Sequence, residues 1–509
     1  MSLLLAEVVE TSTAVAASSA RGAKIGRLAA CLRRLEPDEA AIGVAFLSGQ
    51  LRQRQVGVGY ASLREPPPPA SEATLGLRAV DATLETIAAQ TGPASQASRR
   101  RLLQDLFGRA TGSEQRFLER LLIGELRQGA LEGVMQEALA QALGVPLADV
   151  RRAAMLRGDL GAVAEAGLRD GLAGVRAFQL RVGQPVLPML AQTATTVGGA
   201  LERLAPAAVE WKLDGARVQI HIQQPHVAVF TRSLDDITDR VPELVETART
   251  LPLRSAVLDG ETLALRPDGR PHPFQVSASR FGSRLDVERL RQTLPLSTFV
   301  FDLLHLDGAD LLDRPAVERH AHLMQVVPEA WRVPRIVTSE PTEAQDVLDD
   351  AVARGHEGVV LKALDSAYEA GRRGSGWIKV KPVRTLDLVI LAAEWGHGRR
   401  QGWLSNLHLG AREPSSGEFI MLGKTFKGLT DEMLAWQTAR LLALERERTS
   451  WTVYVRPELV VEVAFDGVQR SPRYPGGVTL RFARVVRYRD DKRAAEADTI
   501  QMVQALGGP

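Results

Sequence analysis

The stretch Glu210-Trp211-Lys212-Leu213-Asp214-Gly215-Ala216-Arg217 decides how this chain is read. It runs into Arg217-Val218-Gln219-Ile220-His221-Ile222, where polar and apolar residues alternate with the two-residue period of a half-buried strand. A lysine set before a glycine turn that leads into such a strand is poorly located for a solvated charge. Alone, Lys-x-Asp-Gly-x-Arg also fits a surface turn. The residues downstream of it decide between the two.

They form an ordered series. Thr231-Arg232-Ser233 comes first, then Asp259-Gly260-Glu261 and Phe301-Asp302-Leu303-Leu304. Glu357-Gly358-Val359-Val360-Leu361-Lys362 and Trp377-Ile378-Lys379-Val380-Lys381 complete it. The runs from Val227 to Phe230, Ala256 to Leu263, Phe299 to Leu304 and Gly358 to Lys362 are β-like, with helical stretches from Val241 to Leu251 and Glu343 to Ala353 between them. This pattern predicts a mixed α/β domain ending near Pro382. Lys379 and Lys381 share one face of a two-residue repeat, so both can point into one pocket. Nearby cations and desolvation favour the neutral, nucleophilic form of a lysine amine, here Lys212.

On either side the pattern changes. Residues 1 to about 185 read as helical. Thr111-Gly112-Ser113-Glu114 has capping-box spacing ahead of the stripe Phe117, Leu118, Leu121 and Leu122, and Leu102, Leu103, Leu106 and Phe107 form another. Pro66 to Pro69 read as a stiff loop within this region. Downstream, strand candidates run from Leu386 to Ala393, Gly417 to Gly423, Trp451 to Val455, Leu459 to Phe465 and Val478 to Tyr488. A helix from about Asp431 to Arg448 sits among them, and a small β-barrel is the expected architecture. Gly423-Lys424-Thr425 imitates the end of a phosphate-binding loop, but Glu418 stands where that loop needs glycine and Phe419-Ile420-Met421-Leu422 is strand-like.

Composition narrows the function classes. The 509 residues exceed a single core and suggest several domains, and 45% hydrophobic with 24% charged residues describes a folded protein. Lys+Arg 63 against Asp+Glu 61 gives a net charge of +2, which excludes a uniformly basic coat and leaves room for local basic surfaces. One cysteine, Cys31, excludes an intramolecular disulfide and any multi-cysteine metal site; its apolar neighbours make it a core residue rather than a nucleophile. Met1 to Glu10 lacks a signal peptide's basic start and unbroken apolar run, and no stretch is apolar enough to span a bilayer, so a cytoplasmic enzyme with no membrane partner is expected.

In this order the motifs resemble the nucleotidyltransferase motifs of ATP-dependent DNA ligases. The resemblance extends to Arg481-Phe482-Ala483-Arg484 continuing to Asp490-Asp491-Lys492, to Gln184-Pro185-Val186-Leu187-Pro188-Met189-Leu190-Ala191 as the lead-in to the catalytic domain, and to Glu125-Leu126-Arg127-Gln128-Gly129 in the helical region. Length and domain order look most like the compact bacterial type. The resemblance implies a multidomain α+β protein: an all-α DNA-binding domain (1–185), an α/β nucleotidyltransferase or adenylation domain (186–383) and a C-terminal OB-fold β-barrel (384–509). It implies nick sealing in duplex DNA with ATP and Mg²⁺, as used in DNA replication, recombination and repair, by a bacterial cytoplasmic enzyme working at the nucleoid. The domains would encircle DNA as a C-shaped clamp. One chain suffices for that, so a monomer is expected.

Residue by residue, the resemblance makes Lys212 the adenylated nucleophile. Glu210 and Arg217 flank it in the nucleotide pocket, Arg232 and Glu261 serve the ribose region, and Phe301 stacks on the adenine. Arg373 contacts the nucleotide, with Arg372 its close competitor; Lys379 and Lys381 neutralise the α-phosphate. Glu357 is the metal-linked carboxylate, and Glu261 is a second candidate for the metal. Arg481, Arg484, Arg487, Arg489, Lys492 and Arg493 would serve the leaving pyrophosphate from a mobile barrel, and Ala483 stands where many relatives have proline. RNA ligases and mRNA capping guanylyltransferases share the lysine chemistry; the long helical region ahead of Lys212 favours a DNA ligase. One cysteine disfavours an NAD-dependent ligase. A catalytically dead DNA-end-binding scaffold is opposed by the presence of Lys212, Glu357, Lys379 and Lys381.

Overall fold

Amphipathic helices bury their apolar stripes against one another in the first part of the chain. They run from Leu5–Ala16 to Leu160–Arg176 and close on a cluster that includes Val8, Leu28, Phe46, Leu84, Phe107 and Leu118. The structure is a computed structural model that describes residues 2–53, 56–63, 65–92, 95–126, 128, 132–282, 286–369 and 373–506; of residues 60, 61 and 373–375 it describes the backbone. The helix Gly112–Leu122 begins at the expected capping box: Thr111 N donates to Glu114 Oε2 at 2.8 Å, and Glu114 N donates to Thr111 Oγ1 at 3.4 Å. Cys31 lies in this core, where burial pushes its thiol pKa up. Pro67 sits outside regular structure, and its carbonyl accepts from Gln115 Nε2 at 3.0 Å. Of the stretch Glu125 to Gly129, Leu126 and Gln128 are buried, while Arg127 and Gly129 lie outside the described residues.

From Leu190 the chain switches to strands. In order these are β1 (Leu190–Ala194), β2 (Ala207–Lys212), β3 (Ala216–Gln223), β4 (His226–Thr231), β5 (Ser255–Ala264), β6 (Leu296–Leu306), β7 (Ala309–Asp310), β8 (Arg335–Thr338), β9 (Gly358–Ala363) and β10 (Arg373–Val380). They form two five-stranded sheets, ordered β1-β10-β9-β2-β8 and β4-β3-β5-β6-β7. Val257 and Leu304 of the second sheet pack in one cluster with Trp377 and Val360 of the first, so a shared core lies between the sheets. Met155 and Leu156, from the helix Leu147–Arg157, belong to the same cluster.

The strands expected from the alternation all form. Helices at Pro242–Arg249 and Pro341–Ala353 stand close to the expected ones. Helices at Phe274–Gly282 and Val287–Thr293 were not legible, because their short stripes have no strong period.

Contacts divide the chain into Met1–Lys379 and Val380–Pro509. The second unit holds β11 (Arg384–Trp395), β12 (Leu404–Arg412), β13 (Phe419–Thr425), β14 (Glu445–Arg448), β15 (Thr452–Val455), β16 (Val460–Phe465), β17 (Gly467–Arg470), β18 (Val478–Arg481) and β19 (Arg484–Tyr488). Two expectations need correction. Val478 to Tyr488 is two strands rather than one, broken where Phe482 takes φ +54°; β18 pairs with β17 and β19 with β16. The helix from Asp431 ends at Ala443, and Glu445–Arg448 pairs along β15 instead. Partner strands override the helix-favouring composition there. Gly423-Lys424-Thr425 ends strand β13, and Lys424 pairs with Glu394, so no phosphate loop exists at that point.

Candidate active site

β2 delivers Lys212. The strand lies inside its sheet, between β9 and the edge strand β8, and its first four residues are buried before Trp211 and Lys212 emerge half-buried at its end. Lys212 lies opposite Gly358, and its carbonyl accepts from Glu357 N at 2.9 Å. That register places the Glu357 carboxylate in an ion pair with Lys212 Nζ. Gly358 has φ +143°, a conformation that glycine supplies at little strain. At Gly215, in the β2–β3 turn, a Cβ would come 2.5 Å from the Thr262 carbonyl oxygen. Glycine is therefore what lets this turn lie directly against β5.

β3 and β5 pair so that Arg217 stands opposite Glu261. The Arg217 guanidinium is held from three directions. Nε and Nη2 donate to Asp259 Oδ1 and Oδ2 at 3.0 and 2.6 Å, Nη1 donates to the Met189 carbonyl at 2.5 Å, and Nη2 reaches the Tyr368 hydroxyl at 3.2 Å. Burial disfavours its charge, but Asp259 and Tyr368 more than offset this and raise its pKa. Burial pushes the Glu261 carboxyl up to about 7, against the opposing pull of Lys212 and Arg217. Asp259 and Glu357 add to the rise.

Phe301 on β6 forms one wall. Its ring meets Trp377 edge-on at 5.9 Å, and Lys362 Nζ and the Arg217 guanidinium lie 4.5 and 5.4 Å from its centroid. Behind it, Glu210 is buried and receives Lys362 Nζ at 2.6 Å, with Arg335 Nε at 3.7 Å. The next residue along β6, Asp302, makes a buried two-pronged pair with Arg319 at 2.8 and 2.9 Å. Burial alone would raise the Asp302 pKa; Arg319 outweighs it and leaves the carboxyl below its ordinary range.

Thus Glu210, Lys212, Arg217, Glu261, Phe301 and Glu357 converge between or beside the two sheets. Arg232 is exposed past the end of β4, and Lys379 is half-buried near the end of β10. Lys381 belongs to the second unit, where it pairs with Asp466 at 3.4 Å. The Arg373 side chain and all of Arg372 fall outside the described residues. Sequence reasoning missed Asp259, Arg335, Lys362, Tyr368 and Trp377 as site residues. Asp259, Lys362 and Trp377 stood inside the motifs already singled out; Tyr368 and Arg335 carried no local signal. Among the described residues no group of three or more His, Cys, Asp or Glu side chains forms a metal cluster.

The C-terminal cations are more neutralised than their sequence suggests. Arg487 pairs with Glu462 at 2.7 Å, Arg489 with Asp387 and Asp491 at 2.9 and 2.6 Å, Lys492 with Asp387 at 2.6 Å and Arg493 with Glu496 at 3.4 Å. Arg484 is exposed and has no ion-pair partner among the described residues.

A half-buried lysine at a strand end, with carboxylates and an aromatic face near it, sets a potential nucleophile beside a surface on which a planar base can lie. Comparison with known sequences names the family. Residues 188–381 match the ATP dependent DNA ligase domain, 400–492 the ATP dependent DNA ligase C terminal region and 56–140 the DNA ligase N terminus. A probable DNA ligase of Anaeromyxobacter dehalogenans (strain 2CP-C) is 60% identical over 512 residues, covering 99% of this chain and 100% of that protein. DNA ligase B of Mycobacterium tuberculosis (strain CDC 1551 / Oshkosh) is 58% identical over 508 residues, with 99% and 100% covered. The solved structure named Pmar-Lig_Pre shares the fold, with a TM-score of 0.64 over 95% of this chain and 99% of that one at 17% identity. The chain belongs to the ATP-dependent DNA ligase family. Its fold is accordingly multidomain α+β, with a helical N-terminal part, an adenylation part and an OB-type C-terminal part.

Proposed function

We propose that this chain seals nicks in double-stranded DNA in three nucleotidyl transfers, with Lys212 as the covalent nucleophile. The observation that carries the reading is the placement of Lys212 half-buried at the end of β2, paired with Glu357 and near Glu261, which itself stands opposite Arg217. First, the neutral Lys212 amine attacks the α-phosphorus of ATP; a P–N bond forms and the bond to pyrophosphate breaks. Next, an oxygen of the 5′-phosphate at the nick attacks the same phosphorus and releases the lysine. Finally, the 3′-hydroxyl attacks the activated 5′-phosphate and AMP leaves. Phe301 supplies an aromatic face for the adenine. Glu210 and Arg217 flank Lys212 in the nucleotide pocket, Arg232 and Glu261 serve the ribose region, Arg373 contacts the nucleotide, and Lys379 and Lys381 neutralise the α-phosphate.

Two carboxylates near the nucleophile suit Mg²⁺, which takes few protein oxygens and fills its shell with phosphate and water. The Glu261 pKa is raised mainly by desolvation, with Glu357 a lesser cause, and a bound cation would offset that desolvation. Glu357 and Glu261 would hold the metal, which when bound neutralises charge on the polyphosphate. The working divisions of a monomeric enzyme would be 1–185 for DNA binding, 186–383 for adenylation and 384–509 for the barrel.

Incubation with α-labelled ATP and Mg²⁺ tests the reading, with GTP and NAD run alongside. Covalent label is expected from ATP and is lost in Lys212→Ala. Label persisting in that variant, or faster sealing of nicked RNA than of nicked DNA, overturns it.

A further inference from the structure

The pocket is tied to the helical region by residues 183–189, which are bonded on both sides. Toward the helices, Leu187 N donates to the Met155 carbonyl at 3.0 Å and Gln184 Nε2 to that of Leu156 at 3.2 Å. Toward β3, Gly183 N donates to His221 Nδ1 at 3.0 Å and Val186 N to Gln219 Oε1 at 3.0 Å, while Gln219 Nε2 returns a bond to the Val186 carbonyl. The segment ends on Met189, whose carbonyl accepts from Arg217 and whose N–H donates to the Tyr368 hydroxyl at 3.1 Å. That hydroxyl in turn donates to Asp259 Oδ2 at 2.6 Å. Tyr368 itself is fully enclosed, edge-on to Trp377 at 5.9 Å and 2% exposed.

Tyr368 therefore touches everything that sets the Arg217 guanidinium: Asp259, Met189 and Arg217 itself. Arg217 in turn stacks against Phe301. We propose that Tyr368 is a positioning residue of the nucleotide pocket, and that residues 183–189 act as a strap through which the helical region sets Arg217 and Phe301. The inference rests on the reading of this pocket as the ATP site. It assigns Tyr368 no direct contact with ATP. Its hydroxyl fixes the register between strap and guanidinium, and with it the wall on which the base lies.

The test uses the full chain and ATP labelling kinetics. In Tyr368→Phe the ring remains and only the hydroxyl goes. The KM for ATP is expected to rise about tenfold, the scale of one lost hydrogen bond to a charged group, with kcat for labelling within about twofold. Gln219→Met releases the strap at its other anchor and should raise KM in the same direction. The double variant should then be no worse than the poorer single one, because both act through one element. A merely structural Tyr368 would lower thermal stability and kcat while leaving KM unchanged, or the two effects would multiply; either result overturns the proposal. Should the double variant not fold, the KM-against-kcat split of Tyr368→Phe decides alone. Failure of the wild-type chain to label would instead refute the ATP-site reading, so the two failures are distinguishable.

Discussion

Charges inside the adenylation part are used in pairs whose geometry offsets their desolvation. Arg319 with Asp302 and Lys362 with Glu210 each bring a buried cation to hydrogen-bond distance of a buried carboxylate, and the half-buried Arg217 does the same with the buried Asp259. A neutral residue obeys the same rule: His221 is buried and takes the Gly183 N–H on Nδ1, so the ring must be uncharged. Burial, helped by His305, pushes its pKa down to about 3. The unfolded chain binds a proton near the ordinary value of about 6.5. His221 therefore contributes stability that is fully present above that pH and is lost progressively as pH falls toward 3. Urea midpoints measured from pH 7.5 to 4.5 should fall more steeply for the wild type than for His221→Gln. Parallel curves would refute the assignment.

At the scale of elements, the site depends on how closely β2, β3 and β5 approach. The β2–β3 turn carries Lys212 on one side and Arg217 on the other, and its Gly215 lies against the β5 backbone. Gly215→Ala forces the turn away from Thr262. It should cost roughly 1–3 kcal/mol of stability as an overpacked contact. Because Lys212 and Glu261 sit on the two elements being separated, the labelling rate should fall on the order of tenfold to a hundredfold. Urea denaturation and single-turnover labelling measure the two effects; wild-type labelling in this variant would show that the close approach is dispensable. Elements also mark where sequence periodicity stopped being informative. The alternation in β3 is clear because Val218, Ile220 and Ile222 enter an apolar core, while the buried opposite face turns the polar Gln219 and His221 to residues 183 and 186. Glu445–Arg448 carries four charged residues whose strand state is set by pairing with β15, which no local pattern announces.

For the whole molecule, a net charge of +2 means that attraction to DNA must come from local surfaces. The exposed cations that matter are those with no carboxylate partner already. Nick affinity should fall linearly on a log–log plot against salt, and Arg484→Ala should reduce the magnitude of that slope by about one. Arg489, whose guanidinium is already paired with Asp387 and Asp491, should leave the slope nearly unchanged when replaced by methionine. Filter binding or fluorescence anisotropy on one nicked duplex at several salt concentrations distinguishes the two. Equal slope changes would mean that the pairs open on DNA.

By itself the sequence determined the order of helical, α/β and barrel parts, most of the strands, and the ordered motifs in which Lys212 stands. These are local facts: periods of two and of about 3.6, turn residues, and motifs whose spacing survives in one dimension. Tertiary structure alone decided the partners. That Lys362 answers Glu210, that Asp259 and Tyr368 hold Arg217, that Arg335 lies behind Glu210 and that Lys381 pairs with Asp466 all depend on strand register and on segments far apart in the chain meeting. A carboxylate's neighbours are fixed by packing, and packing is written in no single stretch of sequence.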